Sequence, residues 1–415
     1  MRFSIQDWFR AAFVMFGVGW GANQFSPMAG VYERDTNLSG AAFAALFGVY
    51  AAGLIPALLI TGAVADRRGR RWVTIRTAVL SIVATIVLIC GPGEVAVMGS
   101  ARFLAGIASG AAFVAGSAWV KELSAGAAEG AGARRAAIAL SAGFGAGPLV
   151  SGAVAQWLPL ATSAPYFPHL VLMLPAVLLV RRCPDPASTR LGPRTPLPEM
   201  VRTRGFLVGV LPWAPWVFGA ATTSFVTAAK LASAHAGGLP IAFSGAVAGL
   251  TLLTGVLIQP LARRLDSRGA QWPPVVGLLL AGGGFVVTAV LAETAGARYQ
   301  VALILPAAVL LGAAYGILLV AGLLAVQRLA EPDELASAVA VFYTLIYLGF
   351  AAPYLLEVLS GGVDWAPWLI VEAVVTSVTA AVVVVNARVT TARSAPVRHD
   401  EVVAAPLSRS VSIDE

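Results

Sequence analysis

Charge is what this sequence has least of. Asp, Glu, Lys and Arg make up 12% of its 415 residues, against about 25% in a soluble globular chain. That is too little to cover the two or three soluble domains this length would otherwise form. Lysine is nearly missing, with Lys121 and Lys230 alone among arginines. The cysteines, Cys90 and Cys183, lie far apart and outside any CxxC or Cys/His cluster, so neither a disulfide framework nor a metal site is indicated. There is no Ser/His/Asp set, no His-rich tract and no Gly-rich phosphate loop ending in Lys. An enzyme is therefore not expected, and no cofactor is implied.

What fills the space is apolar. The chain is 58% hydrophobic with a mean hydropathy of +0.81, the composition of an integral membrane protein whose first partner is the lipid bilayer. Net charge is +7 and the pI is near 9.8, which in a soluble protein would raise nucleic-acid binding. Position excludes it here, because most basic residues lie in short loops between apolar runs, where they set topology. Runs long enough to cross about 30 Å of hydrocarbon fall at about 8–31, 40–62, 73–91, 95–119, 136–157 and 165–181. A second set falls at about 206–229, 240–261, 273–292, 301–327, 338–358 and 365–386.

The expected fold is thus an all-α membrane protein of twelve transmembrane helices in two pseudo-symmetric six-helix bundles, 1–182 and 205–386. The polar, proline-rich 183–204 reads as a cytoplasmic linker, and 387–415, without apolar period, as a disordered cytoplasmic tail. The first run continues to full length without a cleavage-type boundary, so it reads as helix 1, kept in the mature protein.

Basic residues fall almost entirely on one side of this topology: Arg2 and Arg10, Arg67 to Arg76, Lys121, Arg134 and Arg135, Arg181 to Arg204, Arg263 to Arg268, Arg328 and the tail. The other side has Arg34, Lys230 and Arg298, and Arg102 lies within a span. Lys and Arg excess marks the cytoplasm, so both termini are expected there. Arginine in place of lysine, with abundant Ala and Gly, suggests a bacterial origin and hence the inner membrane.

The most informative stretch is Gly62-Ala-Val-Ala-Asp66-Arg-Arg-Gly69-Arg70-Arg71-Trp72, repeated 200 residues on as Ala262 to Trp272 with Asp266, Gly269 and Trp272 at the same offsets. A duplicated polar joint between membrane helices implies two similar halves that move against each other, the plan of a transporter. The first copy resembles the signature loop between helices 2 and 3 of the major facilitator superfamily. Gly62 leaves room for a neighbouring helix and Gly69 permits a left-handed turn at the helix end. The resemblance implies that Asp66 and Arg70 belong to a cytoplasmic latch across the halves that engages the start of helix 11 near Pro332–Ser337 in the outward-open state. Glu122 is the expected partner of Arg70 or Arg71. The copy at Asp266 and Gly269 lacks the leading Gly and most of the basic residues.

Two further segments carry the resemblance. Arg102, in Arg-Phe-Leu-Ala-Gly106-Ile-Ala-Ser-Gly110, lies inside a span at a cost of about 2.5–3.5 kcal/mol if central, and it resembles the family's helix 4 motif, which implies a role in proton transfer. Gly106 and Gly110 form a small-xxx-small packing face. Helix 5 has Gly143-Phe-Gly-Ala-Gly147-Pro148-Leu-Val-Ser151-Gly152, similar to the antiporter signature GxxxGPxxGG of drug:proton exporters, with Ser151 in place of one Gly. Glu372 is the one carboxylate well inside a span and so a candidate proton carrier.

Candidate contacts for a small-molecule substrate are the polar and aromatic residues at membrane depth: Trp20, Asn23, Gln24 and Pro27 in helix 1, Trp213 and Trp216 in helix 7, Gln259 in helix 8, and Tyr343 with Tyr347 in helix 11. The set suits an uncharged or cationic amphiphile. The leading expectation is a monomeric secondary transporter exporting a drug-like or amphiphilic metabolite in exchange for protons. An uptake symporter or uniporter on the same fold, and a membrane sensor that binds without transporting, are the alternatives.

Overall fold

The computed structural model describes residues 5–128, 131–185, 198–233, 235–294, 299–331 and 334–394, and all regular structure among them is helical. In chain order the helices are α1 (Ile5–Asn23) and α2 (Ala29–Asp35), α3 (Gly40–Arg68), α4 (Arg70–Cys90), α5 (Val95–Leu123) and α6 (Ala131–Trp157), and α7 (Ala164–Val180). There follow α8 (Arg204–Gly209) and α9, built from Trp216–Thr222, a π turn Thr223–Ala228 and Ala229–Ser233. The last are α10 (Pro240–Asp266), α11 (Trp272–Glu293), α12 (Tyr299–Leu329) and α13 (Ser337–Ser360), and α14 (Ala366–Ser394). Among the described residues, nine helices, α3 to α6 and α10 to α14, are long and apolar enough to cross a membrane.

Two of the expected spans are broken. The first is interrupted after Asn23 by a 3-10 turn, Ser26–Met28, with Pro27 in it. The seventh, expected as one run, is broken over 210–215, where Pro212 and Pro215 each remove a backbone donor. At the other end of the chain α14 continues to Ser394; residues 387–394, expected to begin a disordered tail, are helical, because nothing in them breaks the helix that the span starts. Residues 395–415, most of the linker (186–197) and Arg298 lie outside the described residues.

The helices pack as two sets, 5–185 and 198–394, with parallel plans. In the first, α3 packs on α5, α1 on α6 and α4 on α7; in the second, α10 packs on α12, α9 on α13 and α11 on α14. Between the sets α6 lies against α10, and α13 against α3. The offset of 200 residues visible in the loops extends to helix starts, since α3 begins at Gly40 and α10 at Pro240.

Lipid offers no hydrophobic drive between apolar helices, so close backbone approach decides which pairs hold. Gly53, Gly106 and Gly110 let α3 and α5 touch: a Cβ at Gly106 would overlap the Tyr50 carbonyl, and one at Gly110 would lie 2.6 Å from that of Leu54. In the second set Gly255, Gly312 and Gly316 do the same for α10 and α12, with Gly312 against the Thr251 carbonyl and Gly316 against that of Gly255. The sequence reading of Gly106 and Gly110 as a packing face therefore matches where they lie. Gly145, by contrast, faces open space. Gly106→Leu is expected to lower stability by about 1–3 kcal/mol through overpacking, whereas Gly145→Ala should change it by less than about 1 kcal/mol in the stabilising direction; thermal unfolding in detergent micelles checks both.

Candidate functional site

The duplicated joint differs between its copies. In the first, a single residue, Gly69 at φ 91°, separates α3 from α4, and its N–H donates to the Ala65 carbonyl at 2.9 Å. A Cβ there would run into the Asp185 carboxylate, which also accepts from the Arg71 N–H at 3.3 Å. Arg70 forms an ion pair with Glu122 at the end of α5, and the Arg71 guanidinium donates to the Arg181 carbonyl. Gly62 is buried in the last turns of α3. Trp72 is covered by Arg76, 3.6 Å from the ring centroid, and by Arg68 at 5.5 Å. In the second copy the loop is longer, and Asp266 pairs with Arg328 at the end of α12 at 2.9 Å. Gly269, at φ 149°, closes that turn by donating to the Asp266 carbonyl.

Each joint thus binds the end of its own set's fourth helix, with the charges interchanged: cation on the joint and anion on α5 in one copy, anion on the joint and cation on α12 in the other. Each of the basic-end pairs named here joins two residues of one set. Pro332 and Asp333, the centre of the expected cross-set contact of Asp66 and Arg70, lie outside the described residues. Sequence reading counted Arg328 and Asp185 only toward topology or linker. Their partners are about 60 and 114 residues away, a separation that local pattern does not signal.

The helix 5 string uses two faces of α6. Gly143 faces the Phe16 carbonyl and Gly147 that of Trp20, both on α1. Pro148 and Gly152 face the other way: a Cβ at Gly152 would lie 2.9 Å from the Ile241 carbonyl and 3.1 Å from the Gly245 Cα, and one at Gly245 would lie 2.5 Å from the Pro148 carbonyl. Ser151, where the signature has Gly, is fully buried and turns its hydroxyl back to the Pro148 carbonyl at 3.3 Å. One row of small residues therefore binds α6 within its set and joins it to α10 of the other.

Arg102 is 1% exposed. Its Nη1 donates to the Ala22 carbonyl at 3.0 Å, and the guanidinium lies 4.9, 5.5 and 4.6 Å from the ring centroids of Phe25, Phe47 and Tyr50. Three desolvated cation–π contacts at about 0.5–2 kcal/mol each are of the size of the insertion cost, about 2.5–3.5 kcal/mol, so the charge is held by rings. Two of those rings reach the inter-set surface, where Phe47 meets Phe225 at 6.3 Å and Phe350 at 6.1 Å, and Tyr50 stacks on Phe350 at 5.6 Å.

Of the candidate substrate contacts, Tyr343 and Tyr347 reach this interface. Phe113, in a π turn of α5 (Ala112–Gly116), stacks on Tyr343 at 5.9 Å and meets Tyr347 at 6.2 Å. Tyr347 also lies 4.6 Å from Phe218 and 6.3 Å from Tyr50. Trp213 and Trp216 turn into the second set instead, against Phe342 at 6.3 Å and Phe285 at 5.8 Å. Gln259 stands half-buried at the break in α10 ahead of Pro260. Asn23 is buried in the last residue of α1, Trp20 is buried nearby, and Pro27 lines a cleft between the sets.

Gln24 serves a different network. Its amide donates to Thr85 Oγ1 at 3.1 Å, Thr85 bonds His169 Nδ1 at 2.9 Å, and His169 Nε2 reaches the Gly17 carbonyl at 3.1 Å. The Gly17 carbonyl can only accept, so Nε2–H donates to it, and Thr85 links the other ring nitrogen to the Gln24 amide. His169 is fully buried, and Gly21 is small because a Cβ would lie 2.8 Å from its Nε2. Glu372 lies on α14, which packs chiefly on α11. Its Oε2 has no hydrogen-bond partner among the described residues, and no ion pair joins it to Arg102.

A profile of the Major Facilitator Superfamily matches residues 11–354. The chain belongs to this superfamily. It is 41% identical over 81 residues to the multidrug resistance protein MdtL of Escherichia coli O139:H28, and equally to that of Shigella boydii serotype 18, a match covering 19% of this chain and 20% of the relative. The chain thus matches about a fifth of the length of these curated relatives. Solved structures similar to it are the nucleoside transporter NupG, at 14% identity and TM-score 0.69 over 93% of this chain and 99% of that one, and a peptide transporter POT in complex with sulfate, at 16% identity and TM-score 0.73 over 92% and 94%. At such identities the likeness shows the fold, that of a multi-pass membrane transporter.

Thr85→Val, isosteric but without the hydroxyl, leaves His169 Nδ1 and the Gln24 amide without their shared partner. It is expected to cost about 1–3 kcal/mol, read as a lowered unfolding temperature of the purified superfamily member.

Proposed function

We propose that this chain exports a drug-like or amphiphilic small molecule from a bacterial cell in exchange for protons, by alternating access. In this reading twelve crossings form two bodies, 1–182 and 205–386, joined by 183–204, with both termini cytoplasmic and the monomer as the working unit. The observation that carries the proposal is the aromatic inter-set face around Phe113, Tyr343 and Tyr347: it offers rings and phenolic hydroxyls and no fixed negative charge, chemistry suited to a flat or amphiphilic molecule. Export draws support from the antiporter-like string of α6 and from the partial similarity to MdtL.

Within the proposal Arg102 and Glu372 serve proton coupling, Glu372 carrying the proton, and the Asp66 and Asp266 joints, with Arg70, Arg71 and Glu122, act as the cytoplasmic latch. A uniporter is the second reading. It is favoured by the end of α1, whose buried polar residue Asn23 is neutral and not a carboxylate, and by the packing of α14 chiefly on α11, away from the inter-set face.

In everted membrane vesicles carrying the protein, an imposed proton gradient should drive uptake of a cationic amphiphilic dye, and adding the dye should dissipate part of the gradient. Dye movement that ignores the gradient supports the uniporter. Asp66→Asn is expected to slow turnover about tenfold, the effect of about 1.4 kcal/mol on the barrier, with dye affinity unchanged. Glu372→Gln should abolish the pH dependence of flux; flux that keeps its pH profile removes Glu372 from the mechanism.

A further inference from the structure

At the end of the molecule opposite the duplicated joints, the two sets are pinned together twice, in equivalent places. The first pin is Gln156 at the end of α6. Its Oε1 accepts from the backbone N–H groups of Ile241 at 3.0 Å and Ala242 at 3.3 Å, and its Nε2 donates to the Gly238 carbonyl at 3.1 Å. The residue preceding α10 is Leu239, which supplies no side-chain cap. A helix start needs a polar partner for its free N–H groups, and for α10 that partner comes from the other set.

The second pin lies over the start of α3, the pseudo-symmetric counterpart of α10. Glu357, near the end of α13, occupies the place that Gln156 has near the end of α6. Lys230, at the end of α9, pairs with Glu357 at 3.2 Å and with Glu33 of α2 at 2.9 Å, so two carboxylates from opposite sets share one ammonium. The three charged groups converge on Gly40, the first residue of α3. A Cβ there would lie 2.5 Å from Glu357 Oε1, 2.7 Å from Lys230 Nζ and 2.8 Å from Glu33 Oε1. Two carboxylates against one cation leave a surplus negative charge, which the partial positive charge of the α3 N-terminus favours. The other charged neighbours, Arg34 and Asp35, pair with each other, while Trp365 places its ring 5.9 Å from the ammonium.

We propose that these two pins are the lock that holds this end of the transport path shut, and that the missing side chain at Gly40 is what allows the charged pin to close. One pin is a neutral amide and the other an ion triad, so the lock is symmetric in position and unequal in chemistry. Opening must break both, because the first joins the end of α6 to the start of α10 and the second joins α9, with Glu357 of α13 behind it, to α2 beside the start of α3. The inference rests on the alternating-access reading, and its test reads conformation without substrate, so either can fail while the other stands.

The experiment uses the full chain in liposomes, with Cys90 and Cys183 replaced by Ser and nitroxide labels on Leu158→Cys and Val363→Cys, two exposed positions in the loops that follow the pins. Pulsed electron-spin distance measurement then reports the separation of the two sets at this end. Gly40→Ala, which favours helix and removes no charge, should raise the long-distance population about fivefold, and Gln156→Ala should do likewise. Lys230→Ala should open the same end, and Glu357→Gln, keeping an acceptor for Lys230, should open it less. Unchanged distances in both Gly40→Ala and Gln156→Ala overturn the proposal, as does a Gly40→Ala protein that opens no further than one with Gly145→Ala, the control at a glycine facing open space.

Discussion

Contact between helix backbones, made where glycine stands in place of a side chain, is the constraint on which the rest of this structure depends. With lipid as solvent, an apolar side chain gains little by leaving it, so helices hold where their main chains can approach. α6 shows the consequence most fully. Gly143 and Gly147 bring it onto α1, and Gly152 with Gly245 brings it onto α10 of the other set. The same helix is therefore both part of its own bundle and the surface on which the two bundles meet. A helix so thin on both sides tolerates no added carbon at these positions.

Polar groups then follow a strict economy. Several have a local answer: rings and one carbonyl for Arg102, a chain of hydrogen bonds for His169, and, at the first joint, a carboxylate for Arg70 and a carbonyl for Arg71. The arrangement couples charge to shape. Arg102 is held by rings, two of which reach the inter-set surface, so a movement that separates Phe47 and Tyr50 from Phe350 also changes what surrounds the guanidinium.

Much of this was legible beforehand. Apolar run length located most of the long helices, and the repeat of Asp66 at Asp266 marks the two equivalent joints. The Arg70–Glu122 pair was expected from the signature loop. Other features were not legible, and the reasons are physical. Periodicity cannot see Pro212 and Pro215 opening a turn within an otherwise apolar run. It also cannot tell which way Gln24, Trp213 or Trp216 turns, because helix rotation is set by neighbours rather than by the segment itself. Glu33, Lys230, Glu357 and Gln156 lie at four separate helix ends, so no spacing links them.

By itself, then, the sequence determined the class of the protein, the placing of most of its long helices and the repeated joint, since each of these is fixed by local composition, run length or repetition along the chain. Tertiary structure alone decided which polar groups meet, which face of α6 crosses to the other set, and why Gly40 must be glycine. Those outcomes depend on distances between segments far apart along the chain, and only the packed chain sets such distances.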